Sequence, residues 1–302
     1  MIMTTSGAAK MLRDLYQDWT NRMTADPNLS IANLRSMFDE WGQAALEPEN
    51  VTYRSDRIGG VEALWALPIG ADASRVIVYT HGGGFAVGSA DSHRKMAGHL
   101  AKALGVTAAI LHYRRAPENP FPAQIEDAVA AYKALLAKGQ EPGKITTAGD
   151  SAGGNLAIAS VLKMRDLGLP LPGSVIAYSP WLDMALRGAT LEANAATDAL
   201  VGRPILEGMV GMFLGGSTSP LDPLANLLEN HFDGFPPLYI NAGSAETLLS
   251  DSENLAAKAK AQGVKVTLSV VPDMQHVFPA LAGRAPEADE ELARIAAWYK
   301  AL

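Results

Sequence analysis

Between positions 9 and 46 apolar residues recur at helical spacing. Met11, Leu12, Leu15 and Trp19 form one run and Leu34, Met37, Phe38 and Trp41 another, with "ADPNLS" between them. That period predicts two or three amphipathic helices before any strand. The pattern then changes to "VTYRSDRIGGVEALWALP", two strand-like runs meeting at Gly59 and Gly60, which predicts an antiparallel hairpin. Beyond it, short apolar runs alternate with longer amphipathic ones. "RVIVYTHGGG" and "VTAAILHYR" read as buried strands and "QIEDAVAAYKALLAKG" as a helix. "KITTAGDS" runs straight into the helical "AGGNLAIASVLKMRDLG", and "GSVIAYSPWLD" is the next strand. A stretch from 184 to 234 shows no clear strand character. After it come a strand in "PPLYINAGSAE", a helix in "SDSENLAAKAKAQG", a strand in "VKVTLSVVPDM" and a final helix in "EADEELARIAAWYKAL".

Strands alternating with helices of about a dozen or more residues define an α/β chain with a mostly parallel sheet of about eight strands, flanked by helices. Such sheets bind ligands beyond the carboxyl ends of their strands. The alternation places the core in residues 49–183 and 235–302. The N-terminal helices, 1–48, and the insertion, 184–234, fall outside it and are expected to form a helical cap over the carboxyl edge. The last strand, "VKVTLSVV", is expected at a sheet edge beside the final helix. Exposed edges invite pairing, so a homodimer through those two elements is expected.

Composition narrows the function classes. The formal charge of −7 over 302 residues disfavours a nucleic-acid partner, which needs a basic face. No cysteine is present, which removes disulfides, thiolate metal sites and a cysteine nucleophile together. The start, "MIMTTSGAAKMLRDLYQDW", lacks the apolar core of a signal peptide, and no run approaches the length of a membrane span. A soluble cytoplasmic chain is expected.

The chemistry is concentrated in "TAGDSAGGNLA", residues 147–157. Ser151 stands where a strand turns into a helix, inside G-D-S-A-G, an instance of G-x-S-x-G in the strand–turn–helix context that gives the motif its meaning. The glycines permit a tight turn that lifts the hydroxyl out of the sheet, and the helix that follows aims backbone N–H groups at the reacting centre. A serine N-cap is the structural alternative. A second signal is "YTHGGGFAVGS", residues 79–89, whose consecutive glycines can turn amides towards a developing oxyanion. His81 precedes them and is expected to order the loop. Neither phosphate-loop spacing is present.

A serine nucleophile needs a base and an acid, in the chain order Ser, Asp or Glu, His. Only His231 and His276 follow Ser151. His231 lies in a polar link, whereas His276 sits in "PDMQHVFP" at a strand's carboxyl end and is the expected base. Glu246, just beyond the strand in "NAGSAETLLSDSE", is the expected acid, with Asp251 in the next helix as the rival. Asp150, beside the nucleophile, is expected to point away from it.

Together "HGGGF", "GDSAGGN", "YRRAPENPFPAQIEDA" and "PDMQHVF" resemble, in order and spacing, the hormone-sensitive-lipase-like esterases, the bacterial family IV carboxylesterases of the α/β-hydrolase fold. The resemblance spans about residues 75–300. "SPWLDM" and the Leu-Leu-Ser-Asp after Glu246 look most like the branch containing monoterpene ε-lactone hydrolases. The resemblance implies that Ser151 attacks an ester carbonyl, His276 takes its proton and Glu246 orients His276. It places the oxyanion between the amides of Gly83, Gly84 and Ala152, and it implies neither metal nor organic cofactor.

The implied substrate is a small apolar ester or lactone, cleaved by hydrolysis. An amidase or acyltransferase would share the machinery, and a ligand-binding protein on a dead hydrolase scaffold is the reading from another class. Met11, Tyr16, Trp19, Met23, Trp41 and Met212 either line an apolar acyl pocket or glue the cap to the body. Phe85, Trp181 and Val277, which adjoin the motifs, complete the expected substrate contacts. Two departures stand out. The family usually has Asp where this chain has Glu246, and its "DYRLAPE" is here "HYRRAPE", with His112 and Arg115.

Overall fold

The computed structural model describes residues 6–302, so the first five residues of the 1–48 segment lie outside it. Helices α1 (Gly7–Ala25) and α2 (Ile31–Phe38) open the chain. Each begins at a serine whose hydroxyl accepts an amide three residues on, Ser6 from Ala9 and Ser30 from Asn33, which satisfies an otherwise orphaned donor. Strands β1 (Val51–Ile58) and β2 (Val61–Pro68) form the antiparallel hairpin across Gly59 and Gly60. Then come β3 (Asp72–Thr80), α3 (Ala90–Leu104), β4 (Val106–Leu111), α4 (Ala123–Ala137), β5 (Ile145–Asp150), α5 (Ala152–Asp166) and β6 (Ser174–Tyr178). The long connection to the next strand carries α6 (Thr190–Ala193) and α7 (Arg203–Leu214). The chain ends with β7 (Leu238–Gly243), α8 (Leu249–Ala261), β8 (Val266–Val271) and α9 (Pro286–Lys300).

The eight strands lie in the order β1-β2-β4-β3-β5-β6-β7-β8, antiparallel at β1, β2 and β4 and parallel from β4 to β8. Every residue of β4, β5, β6 and β7 is buried, so these strands show no alternation of a buried with an exposed face. β8 is an edge strand of half-buried residues, with Val270 exposed. No helix among the described residues is long and apolar enough to cross a membrane.

Loops at the carboxyl ends of β3, β5, β6, β7 and β8 converge on one edge. α1 and the 184–234 segment meet there: the Thr20 hydroxyl donates to the Ala199 carbonyl at 2.7 Å, and the Tyr16 hydroxyl to that of His276 at 2.9 Å. Past α7 the chain returns to the body, where Ala225, Leu227 and Phe232 are fully buried. The Asn155 amide on α5 bonds the carbonyls of Ala225 and Trp181, both at 2.9 Å.

Candidate active site

Ser151 sits at the β5–α5 junction with φ +53° and ψ −122°, a backbone conformation that costs about 1–3 kcal/mol and persists only where the surroundings enforce it. Its amide donates to the Tyr178 carbonyl at 2.8 Å, and its carbonyl accepts from Asn155 and Trp181, both at 3.1 Å. The flanking glycines are a steric requirement. A Cβ on Gly149 would lie 2.3 Å from the Gly153 carbonyl oxygen, and one on Gly153 would lie 2.0 Å from that of Thr80. The turn therefore packs backbone on backbone, and α5 starts beside β3 with no room for a side chain.

The glycine loop after β3 is equally crowded. A Cβ on Gly82 would fall 2.1 Å from Asp150 Oδ2, and one on Gly83 2.3 Å from the Val87 carbonyl. Asp150 turns its carboxylate into this loop: Oδ1 accepts from the Tyr79 hydroxyl at 2.7 Å and the Gly82 amide at 3.1 Å, and Oδ2 lies 3.3 Å from His93 Nε2. His81 is buried, with Nδ1 2.8 Å from the Gly82 carbonyl and its ring stacked on Tyr113. Burial, followed by the neighbouring His93, pushes its pKa down, so at neutral pH the ring is uncharged and serves to shape the loop.

His276 follows β8 and Glu246 follows β7. The imidazole Nδ1 lies 3.4 Å from Glu246 Oε2, both groups buried. That separation is longer than a made hydrogen bond and typical of a site whose contacts tighten around a substrate. Burial, the largest single influence, pulls the His276 pKa down. The adjacent Glu246 carboxylate, with the charges of Asp198 and Asp150, outweighs it and holds the value above the ordinary 6.5. Burial raises the Glu246 carboxyl, and His276 opposes that rise.

Asp251 lies elsewhere. In the first turn of α8 its Oδ2 accepts the amides of Leu182 at 2.7 Å and Asp183 at 3.0 Å, bracing the chain after β6. Burial pushes its pKa up to about 7, against those two amides. Between about pH 4 and that value the unfolded chain has released this proton and the folded chain retains it, so the group's contribution to stability falls as pH rises. Asp251→Asn is therefore expected to remove this part of the slope from a plot of Tm against pH over that window, a result thermal unfolding at several pH values would check.

Three residues hold the His276 and Glu246 loops in ways that periodicity did not signal. The buried Tyr16 hydroxyl donates to the His276 carbonyl, and burial keeps that phenol protonated. The Val277 amide donates to Ser179 Oγ at 3.0 Å. The Asp198 carboxylate accepts the amides of Leu200, Val201 and Thr247, tying the 184–234 segment to the turn beside Glu246. Phe85, Ser151, Ser179 and Val277 all have positive φ, so backbone strain gathers at this edge.

Ser151, His276, Gly83, Gly84 and Trp181 border one small pocket of about 40 Å³, closed by Phe38, Trp41, Leu206, Met209 and Leu248 among others. Across Leu200, Ile205 and Met209 lies a larger cavity of about 530 Å³, which Met23 and Met212 help line. Among the described residues, the amides of Gly83, Gly84 and Ala152 donate to no backbone carbonyl outside the regular elements.

Other expected substrate contacts fall away from both cavities. Trp19 is fully buried between Tyr16, Phe38 and Trp41, its indole N–H spent on Glu40 at 3.0 Å, so it joins the N-terminal helices to one another. Phe85 lies flat on Phe213 with ring centroids 3.7 Å apart and fastens the glycine loop to α7. Val277 is buried and turns the backbone behind His276. Met11, read from the same period, points to solvent. His231 is exposed.

A parallel sheet bearing a serine at a strand–helix turn, with a histidine–carboxylate pair beside it, defines a class: hydrolases built on an α/β sheet. A family profile described as "alpha/beta hydrolase fold" matches residues 77–280. The chain is 39% identical over 270 residues to an "Acetyl-hydrolase" of Streptomyces hygroscopicus, covering 89% of this chain and 88% of that protein. It is 32% identical over 283 residues to an "Esterase" of Acinetobacter venetianus, covering 94% and 93%. The solved structure of "an esterase from the bacterial hormone-sensitive lipase (HSL) family" superposes with a TM-score of 0.93 at 36% identity, covering 99% of both chains. The chain belongs to the α/β-hydrolase family, in its hormone-sensitive-lipase branch.

Proposed function

We propose that the protein is a serine carboxylesterase that cleaves esters of short acids through an acyl-enzyme. The observation that carries this reading is the small pocket onto which Ser151, His276, Gly83 and Gly84 all open. Ser151 Oγ attacks the ester carbonyl as His276 Nε2 takes its proton. The tetrahedral oxyanion sits between the amides of Gly83, Gly84 and Ala152, and its collapse expels the alcohol with the proton held on His276. A water, deprotonated by the same imidazole, then attacks the acyl-enzyme, and the second collapse returns the proton to Ser151 and frees the carboxylate. Glu246 fixes the imidazole tautomer and stabilises its charged form.

The apolar lining favours uncharged substrates, and the two cavities differ in what they admit. The space at Ser151 suits a short acyl chain, whereas the larger neighbouring cavity suits a bulkier alcohol. Hydrolysis of p-nitrophenyl esters from acetate to laurate is expected to peak at the shortest chains and to fall about tenfold or more towards laurate, since each poorly accommodated methylene is felt in kcat/KM. No turnover anywhere in the series would sink the esterase reading. Turnover of an ε-lactone or an anilide exceeding that of every ester would reassign the leaving group while keeping the nucleophile.

A further inference from the structure

A separate cavity of about 380 Å³ opens beyond the glycine loop, and none of the residues bordering the Ser151 pocket lines it. Its lining is mostly polar and includes the two departures from the family pattern, His112 and Arg115. The charged groups around it are almost all compensated. Glu118 takes both Nη atoms of Arg35, at 2.8 and 2.6 Å, and Glu62 pairs with Arg57. His112 Nε2 stands 3.9 Å from Asp91. Arg115 is the exception. Among the described residues no carboxylate lies within ion-pair range of it, and the one hydrogen-bond partner of its guanidinium is the Gly88 carbonyl, 2.5 Å from Nη1. Partial burial, foremost, and the nearby Arg35 oppose its charge, and the fields of Tyr113, Asp39 and Glu118 offset them only in part. A guanidinium nonetheless remains protonated, so the cavity holds a half-buried positive charge with several donors unspent.

We propose that this cavity is a binding site for a small carboxylate, held in a fork by Arg115, with His112, Ser89 and Asn119 around it. A planar guanidinium matches a carboxylate with two parallel hydrogen bonds, and a singly charged head compensates the one charge the protein leaves open. The wall residues also connect this cavity to the glycine loop. Arg115 holds the Gly88 carbonyl and Arg35 Nε the Ala86 carbonyl, at 2.9 Å. Gly88 in turn packs on Gly82, where a Cβ would come within 2.6 Å of the Gly82 carbonyl oxygen. An occupant that anchors Arg115 therefore steadies the loop whose amides face Ser151.

The test is thermal unfolding of the full chain in sodium acetate against sodium chloride at equal ionic strength, for the wild type, Arg115→Met and Arg115→Lys. Preferential binding to the folded state raises Tm with a saturating dependence on ligand concentration. The wild type is expected to gain a few degrees over chloride, Arg115→Lys less because it keeps the charge and loses the fork, and Arg115→Met nothing. Acetate at Ser151 would stabilise all three proteins alike, so an undiminished shift in Arg115→Met overturns the proposal, as does a wild type that follows chloride. If Arg115→Met does not fold, an undiminished shift in Arg115→Lys overturns it equally. A shift with phosphate but none with acetate rejects the carboxylate as the ligand.

Discussion

Ser151→Ala is expected to lower kcat on the best p-nitrophenyl ester by about 10⁶-fold while leaving Tm within a few degrees, because loss of the nucleophile disables the triad as a unit. What remains would be the contribution of the oxyanion amides and substrate binding, about 10³- to 10⁴-fold over water. The separation of rate from stability is the discriminating feature. The structural alternative for this serine was a helix N-cap, whose loss costs about 0.5–2 kcal/mol of stability and no activity. The hydroxyl makes no capping bond to α5, although the residue stands at the N-cap position. Alanine retains the Cβ, so the strained backbone at φ +53° is neither relieved nor worsened. Steady-state kinetics and a melting curve on the same preparation decide the matter. Retained activity with a lowered Tm would return Ser151 to a structural role.

The parts of this site legible in the sequence are those whose cause is local. G-x-S-x-G could be read because one clash that demands its glycines is local, a Cβ on Gly149 meeting the Gly153 carbonyl four positions on, whereas the demand at Gly153 comes from Thr80 on the neighbouring strand. The sheet was legible because a strand buried on both faces is mostly apolar without alternation, as in β4, where Thr107 is the one polar residue, and β7, where Asn241 interrupts the run. Residues that depend on distant partners were not. Ser179 receives the Val277 amide across 98 positions, and Tyr16 reaches the His276 carbonyl across 260. Nothing in a helical period separates Tyr16, which holds a loop, from Trp19, which fills the helix interface, or Met23, which lines a cavity. All three belong to α1, and what each does depends on what α1 meets at its own height. The same holds for the acid. Glu246 and Asp251 lie five positions apart beyond one strand, and only the fold brings the first beside His276 and the second beside the Leu182 amide.

Glu246→Gln turns that difference into kinetics, with an expected loss of about 10⁴-fold in kcat, the scale seen when a triad carboxylate becomes an amide and the imidazole settles in the wrong tautomer. The change also has a signature in pH. Catalysis needs neutral His276, so kcat/KM of the wild type should fall on acidification with a midpoint above the ordinary 6.5, since the Glu246 carboxylate, together with the charges of Asp198 and Asp150, favours the imidazolium more than burial disfavours it. In the Glu246→Gln protein the burial persists and the principal opposing charge is gone, so the midpoint should move to lower pH even as the rate collapses. Loss of packing alone would let water in and move a buried imidazole towards its ordinary value, without carrying it below. Asp251→Asn supplies the contrast: it is expected to change kcat by a few-fold at most and to leave the midpoint where it was, because its carboxylate faces backbone amides instead of the imidazole. If instead Asp251→Asn abolished the rate and lowered the midpoint while Glu246→Gln did neither, Asp251 would be the residue that orients His276.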